Sequence, residues 1–134
     1  MALITWNSAY SVGVKQIDEQ HKQLIMMINQ LHLSMLKGEG GKVLDEVIKS
    51  VINYTKTHFS AEEILMKKYG YEGFDEHKKI HEEFINKVDE FEKKLAKGDL
   101  ISIEVMNFLK DWLLNHIQGT DKKYTQYFNE HGLN

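Results

Sequence analysis

The chain reads as an all-α protein: an up-down-up-down antiparallel four-helix bundle with an extended N-terminal arm and a short C-terminal helical tail. Two observations carry that reading. Apolar residues recur at helical spacing through four long segments. The connections between those segments are only a few residues long and hold glycine, so neighbouring helices run antiparallel.

The first helix runs from Ile17 to Leu36, with Ile17, Leu24, Ile25, Ile28, Leu31 and Met35 on one face. Asp18 is its expected N-cap, and Gly38-Glu39-Gly40-Gly41 its terminating turn. The second spans Val43 to Tyr69 on Val47, Ile48, Val51, Ile52, Phe59, Leu65 and Met66, and stops at Gly70. The third extends from about Phe74 to Ala96 on Ile80, Phe84, Ile85, Val88, Phe91 and Leu95, and stops at Gly98. A fourth starts between Asp99 and Ser102 and passes Val105, Leu109, Trp112 and Leu113 before Gly119. A helical tail, Asp121 to Phe128, follows. With 134 residues, 42% of them hydrophobic, and no repeat or low-complexity linker, the chain (1–134) reads as one domain able to bury a sizeable core.

Folded at these turns, the chain brings seven side chains to one level: His21, His58, Glu62, His77, His81, His116 and Asp121. His21 lies about nineteen residues before the first turn and His58 about nineteen after it. His58 and Glu62 lie roughly thirteen and nine residues before the second turn, His77 and His81 roughly six and ten after it. His81 and His116 lie about eighteen and seventeen residues either side of the third. At ~1.5 Å per residue the mismatches amount to roughly 2 to 6 Å along the bundle axis. Within helices, His58/Glu62 and His77/His81 are four apart and share a face. His116 and Asp121 are five apart, so the fourth helix is expected to be irregular between Ile117 and Asp121, as in a π-type turn.

Each motif alone is weak. A lone H-x-x-x-H is more often a solvated face or a core pair, with the metal reading at roughly one in five. The odds reverse because independent accidents do not register across four helices. His32 shows the contrast, lying about 16 Å further along the axis than His21; it is expected in or beside the far half of the core. His131 is expected to be exposed, and Met26, Met27, Met35 and Met66 read as core filler.

Seven donors are too many for one tetrahedral zinc, and five imidazoles do not suit calcium or magnesium. Two octahedral-leaning ions fit, with iron or manganese as candidates. If Glu62 and Asp121 both bridge, the imidazoles divide three and two. With one bridging oxide or hydroxide, a single coordination position then stays vacant, on one ion.

The chain resembles the bacterial hemerythrins over essentially its whole length. The likeness rests on W-N-x-x-Y-S-V-G-V at Trp6–Val14, I-D-E-Q-H ending at His21, H-F-x-x-E at His58–Glu62, H-K-K-I-H at His77–His81 and H-I-x-x-x-D at His116–Asp121. The resemblance implies a non-haem di-iron centre in which His77, His81 and His116 hold the saturated iron and His21 and His58 the open one, bridged by Glu62 and Asp121. It implies reversible dioxygen binding for storage, transport or delivery to an oxygen-consuming enzyme, and no catalytic residues.

The residues agree with binding rather than turnover. Ferritin-like di-iron enzymes use Glu with E-x-x-H motifs, and this chain has no E-x-x-H. Leu24, Phe59, Leu113 and Ile117 would wall the open position and keep water and protons from bound oxygen, though the same residues serve equally as bundle core. The competing readings are an oxygen or redox sensor acting through a partner protein, and a di-iron enzyme acting on peroxide or nitric oxide.

A net charge of −3 gives no electrostatic reason to expect nucleic acid or an anionic membrane. Met1 to Trp6 lacks the basic and apolar regions of a signal peptide, no segment reads as a transmembrane span, and the absence of cysteine fits a reducing compartment. The expected location is cytoplasmic, and the expected partner, beyond dioxygen itself, an oxygen-accepting enzyme.

Overall fold

Four long helices and a shorter fifth account for most of the residues that the structure, a computed structural model, describes: 4–38, 41–97 and 102–134. They are α1 (Lys15–Leu36), α2 (Gly41–Lys68), α3 (Phe74–Ala96), α4 (Ser102–Asn115) and α5 (Thr125–Glu130). A π turn (His116–Thr120) and a 3-10 turn (Asp121–Tyr124) join α4 to α5, and another 3-10 turn (Ser8–Tyr10) interrupts the extended arm. The expected glycine turns at Gly40 and Gly98 and the expected helix start at Asp99 lie outside the described residues.

The first four helices form the bundle. Buried side chains fall on the inward stripe of each: Ile17, Leu24, Ile28 and Leu31 on α1, Ile48, Val51, Ile52 and Met66 on α2, Phe84, Val88 and Phe91 on α3, Val105, Leu109 and Leu113 on α4. Aromatic rings lock α3 to α4, with Phe84 4.4 Å from Trp112 and Phe91 5.4 Å from Phe108 between centroids. The methionines divide: Met66 is core and Met27 and Met35 are partly buried, but Met26 is 63% exposed. It stands two residues from both Leu24 and Ile28, about 160° around the helix from each, and so points away from the buried face. His32 is half-buried and His131 exposed.

Asp18 is not the N-cap. Helix α1 starts earlier, with Val14 in the cap position and no side-chain cap. Asp18, one turn inside, reaches back to the arm, where Oδ1 accepts the Val12 N–H at 2.8 Å and Oδ2 the Ser11 hydroxyl at 2.6 Å. Val12 and Val14 are wholly buried, so core packing rather than a capping side chain fixes where the chain enters the helix. The end of α2 is likewise closed from afar. Gly70 turns the chain with φ +68°, and the Tyr127 hydroxyl of α5 donates to the Tyr69 and Gly70 carbonyls.

The arm lies between α1 and α5. Ile4 exchanges backbone hydrogen bonds with the Asn29 amide, 2.9 Å from N–H to Oδ1 and 2.8 Å from Nδ2 to the carbonyl. The Thr125 hydroxyl donates to the Val12 carbonyl at 2.6 Å, and Asn129 Nδ2 to the Gly13 carbonyl at 2.9 Å. Gly13 has φ +71°, and a Cβ there would stand 2.8 Å from Thr125 Cγ2. Gly13→Ala is therefore expected to cost about 1–3 kcal/mol through backbone strain and displacement of Thr125. An unchanged urea midpoint would show that the arm yields freely. Among the described residues no helix is long and apolar enough to cross a membrane.

Candidate metal centre

The seven side chains singled out by spacing meet inside the bundle. Helix α1 contributes His21, α2 His58 and Glu62, α3 His77 and His81, the π turn His116, and the following 3-10 turn Asp121. None is more than 3% exposed. The π turn solves the problem of the five-residue interval. On a regular α-helix, residues five apart point about 140° from one another. Here the Asp121 N–H bonds to the His116 carbonyl, the wider i to i+5 ring, and both side chains turn inward.

The inward atoms are close. His58 Nε2 lies 2.6 Å from Glu62 Oε1, and His21 Nε2 3.1 Å from Asp121 Oδ2. His77 Nε2 and His116 Nε2 lie 2.9 and 2.8 Å from Asp121 Oδ1, and His77 Nε2 also stands 3.6 Å from Glu62 Oε2. His81 Nε2 sits 3.1 Å from His116 Nε2. These atoms sort into two overlapping sets, each converging within 4.8 Å: Glu62, His77, His81, His116 and Asp121, and His21, His58, Glu62 and Asp121. The two carboxylates belong to both.

Ring tautomers are set from outside the cluster. The Glu63 carboxylate can only accept, so His81 Nδ1–H donates to its Oε2 at 2.9 Å, leaving the Nε2 lone pair facing inward. His58 Nδ1–H donates to Gln20 Oε1 at 2.6 Å in the same way. Burial, with the neighbouring His116 and His77, pulls His81 down to about 2, so its ring is neutral. Burial also acts to lower His77, but the Asp121 and Glu62 carboxylates beside it outweigh burial and raise it. Burial would raise Asp121, yet His116, His21 and His77 hold it well below the carboxylate range. Burial, then the charges of Glu62 and Asp121, push the Tyr124 phenol up.

This donor set fits cations. His58 Nε2 and Glu62 Oε1 are both electron pairs, 2.6 Å apart with no hydrogen bond, an arrangement that a positive ion between or beside them relieves. His21 Nε2, His77 Nε2, Glu62 Oε2 and both Asp121 oxygens are likewise buried without a hydrogen bond of good geometry. Mixed imidazole and carboxylate donors suit first-row transition metals.

Leu24, Phe59, Leu113 and Ile117, expected around the centre, are all buried. Phe59 stacks face to face on His81 at 3.8 Å, with His58 further away at 6.1 Å. Leu113 helps line a cavity of about 10 Å³ with Ile28, Thr55 and Trp112, a volume close to that of a single water probe. Sequence reasoning missed Gln20, Glu63, Trp112 and Tyr124. Trp112 stacks on His116 at 4.4 Å and Tyr124 on His77 at 5.7 Å. Only Trp112 carried a signal, standing four residues before His116 on one helix face.

Comparison with known proteins places this geometry. The family model described as "Hemerythrin HHE cation binding domain" matches residues 12–128. A bacteriohemerythrin of Stenotrophomonas maltophilia (strain R551-3) is 40% identical over 134 residues, 98% of this chain and 85% of that protein. A bacteriohemerythrin of Pseudomonas aeruginosa (strain LESB58) is 39% identical over 124 residues, covering 92% of this chain and 80% of the other. A crystal structure of wild-type hemerythrin superposes with a TM-score of 0.88 at 33% identity, over 93% of this chain and 97% of that one.

Proposed function

Because the chain belongs to the hemerythrin family, we propose that it binds dioxygen reversibly at a non-haem di-iron centre and acts as a binding protein rather than an enzyme. In this reading His77, His81 and His116 hold one iron and His21 and His58 the other. Glu62 and Asp121 bridge the two, together with an oxide or hydroxide. Iron, when bound, supplies the electrons exchanged with dioxygen.

One observation carries the proposal: the donors fall into unequal sets, one of five residues and one of four, with the two carboxylates common to both. Adding one shared oxygen gives one position six donors and the other five. The single place left open is on the His21/His58 side, which leaves one exchangeable position for a small ligand.

The remaining residues hold and shield. The π turn directs the Asp121 carboxylate toward His21, His77 and His116, the orientation in which it would be shared between the two positions. Leu24, Leu113 and Ile117, all buried, would keep water and protons from a ligand at the open position, whereas Phe59 lies against His81 of the five-residue set. Leu113→Asn is expected to shorten the half-life of the oxygenated form several-fold. An unchanged half-life in a decay series followed by absorbance would remove Leu113 from this role.

Storage, transport or delivery of oxygen to an oxygen-consuming enzyme follows as the physiological use. Iron analysis combined with repeated oxygenation and deoxygenation, followed optically, tests the proposal. Two irons per chain and a spectrum that cycles intact are expected. Turnover of peroxide or nitric oxide without reversible uptake would replace it with an enzymatic role.

A further inference from the structure

We propose that Glu63 and Gln20 are positioning residues that make the two metal positions unequal in affinity, with the position backed by Glu63 filling first. The proposal rests on the two-metal reading above and deepens it.

Side chains of the described residues hold the outer nitrogen of just two of the five imidazoles, and they do so with different chemistry. His81 Nδ1–H donates to a carboxylate at 2.9 Å, reaching from α3 to Glu63 on α2. His58 Nδ1–H donates to a neutral amide at 2.6 Å, reaching from α2 to Gln20 on α1. Both bonds fix the tautomer that turns Nε2 inward, so both orient a donor. Only one adds charge. A carboxylate accepting from the ring draws the Nδ1 proton outward and makes the inner nitrogen a stronger electron donor, and it places a negative charge across the ring from the metal position. The amide orients without either effect.

The other three rings have no comparable support. His21 Nδ1 and His116 Nδ1 are buried without a hydrogen bond. His77 instead borders a small surface cleft of about 30 Å³ lined also by Tyr71, Glu76, Thr120 and Lys123. The difference between Glu63 and Gln20 is therefore the clearest asymmetry around the cluster apart from the number of imidazoles. It acts in the same direction, strengthening the three-imidazole position and leaving the two-imidazole position the weaker.

Titration of the metal-free protein with zinc or cobalt separates this from simple packing. Cobalt absorption reads the two equivalents, and histidine ¹⁵N NMR during zinc addition reports which rings respond to the first. In the unaltered protein the first equivalent is expected to shift His81 before His58. Glu63→Gln keeps a hydrogen-bond acceptor but removes the charge. It should weaken the tighter equivalent by about 10–100-fold and leave the other within a few-fold. Gln20→Glu should tighten the weaker equivalent. The double exchange Gln20→Glu/Glu63→Gln should bring His58 into the first equivalent.

Equal weakening of both equivalents by Glu63→Gln, or no weakening, overturns the proposal, as does a first equivalent that perturbs His21 and His58 in the unaltered protein. A single equivalent in the unaltered protein is a different result, and it would overturn the two-metal reading itself. Helical circular dichroism of each variant identifies any that fails to fold. In that case Glu63→Asp, which restores the charge, should recover the order that Glu63→Gln loses.

Discussion

Glu62→Ala is expected to lower metal affinity at both positions together, by at least about 100-fold each, equivalent to roughly 2.7 kcal/mol per ion. Among the described residues its carboxylate is the only α2 side chain that belongs to both donor sets, and its two oxygens face different imidazoles, Oε1 toward His58 and Oε2 toward His77. His81→Ala offers the contrast. His81 belongs to one set alone, so the variant should lose one equivalent and retain the other. Metal content after anaerobic loading with ferrous iron and desalting distinguishes the two patterns. A Glu62→Ala protein that keeps one full equivalent would mean that the carboxylate is not shared.

Removal of metal should cost the fold heavily, and the cost should grow in mild acid. At a thousandfold excess over Kd, an ion that binds only the folded chain contributes about 4 kcal/mol, or roughly 10–20 °C in Tm for a domain of this size. The acid sensitivity of the metal-free protein follows from His81. Its pKa falls from 6.5 to about 2 on folding, so the folded state refuses a proton that the unfolded state takes up. The corresponding stability is complete above pH 6.5 and is lost as pH falls toward 2, at up to about 1.4 kcal/mol per pH unit. His77 works in the opposite sense. Its raised pKa gives stability that is complete below 6.5 and fades as pH rises through the folded value. Asp121, held low, loses its contribution only below its ordinary carboxylate range. Between pH 6.5 and about 4.5 the His81 slope should dominate, and the melting temperature of the metal-free protein should fall steadily. In the loaded protein the same window brings protons into competition with metal for the imidazoles. A flat melting curve across it, or equal Tm with and without metal at neutral pH, would contradict the coupling.

The side chains that met in the bundle were legible because their spacing obeys helix geometry. Even the awkward interval from His116 to Asp121 was informative, since a five-residue step can face one way only if the helix widens, and it does. The residues behind the cluster were not legible. Gln20 and Glu63 look like ordinary solvated positions beside buried ones, and their partners lie 38 and 18 residues away across a helix interface. Asp18 carried a correct local signal, a helix start, and was misplaced because the buried Val12 and Val14 set the entry point. Met26 was misread because composition counts methionine as apolar without asking which side of α1 it occupies. Periodicity reports a residue's own helix face; it is silent about what another helix brings to that face.

The way the two chain ends are fastened has a consequence for how the donor set is assembled. Asp121 stands just ahead of α5, and α5 is moored to the arm through Thr125 and Asn129 and to the far end of α2 through Tyr127. Those moorings join residues more than a hundred positions apart in the first case and nearly sixty in the second. Closing such distant pairings costs more chain entropy than closing the contacts within one helix. The placement of Asp121 therefore leans on contacts between the arm and α5, and removing Val12 or Gly13 would reach the heart of the bundle.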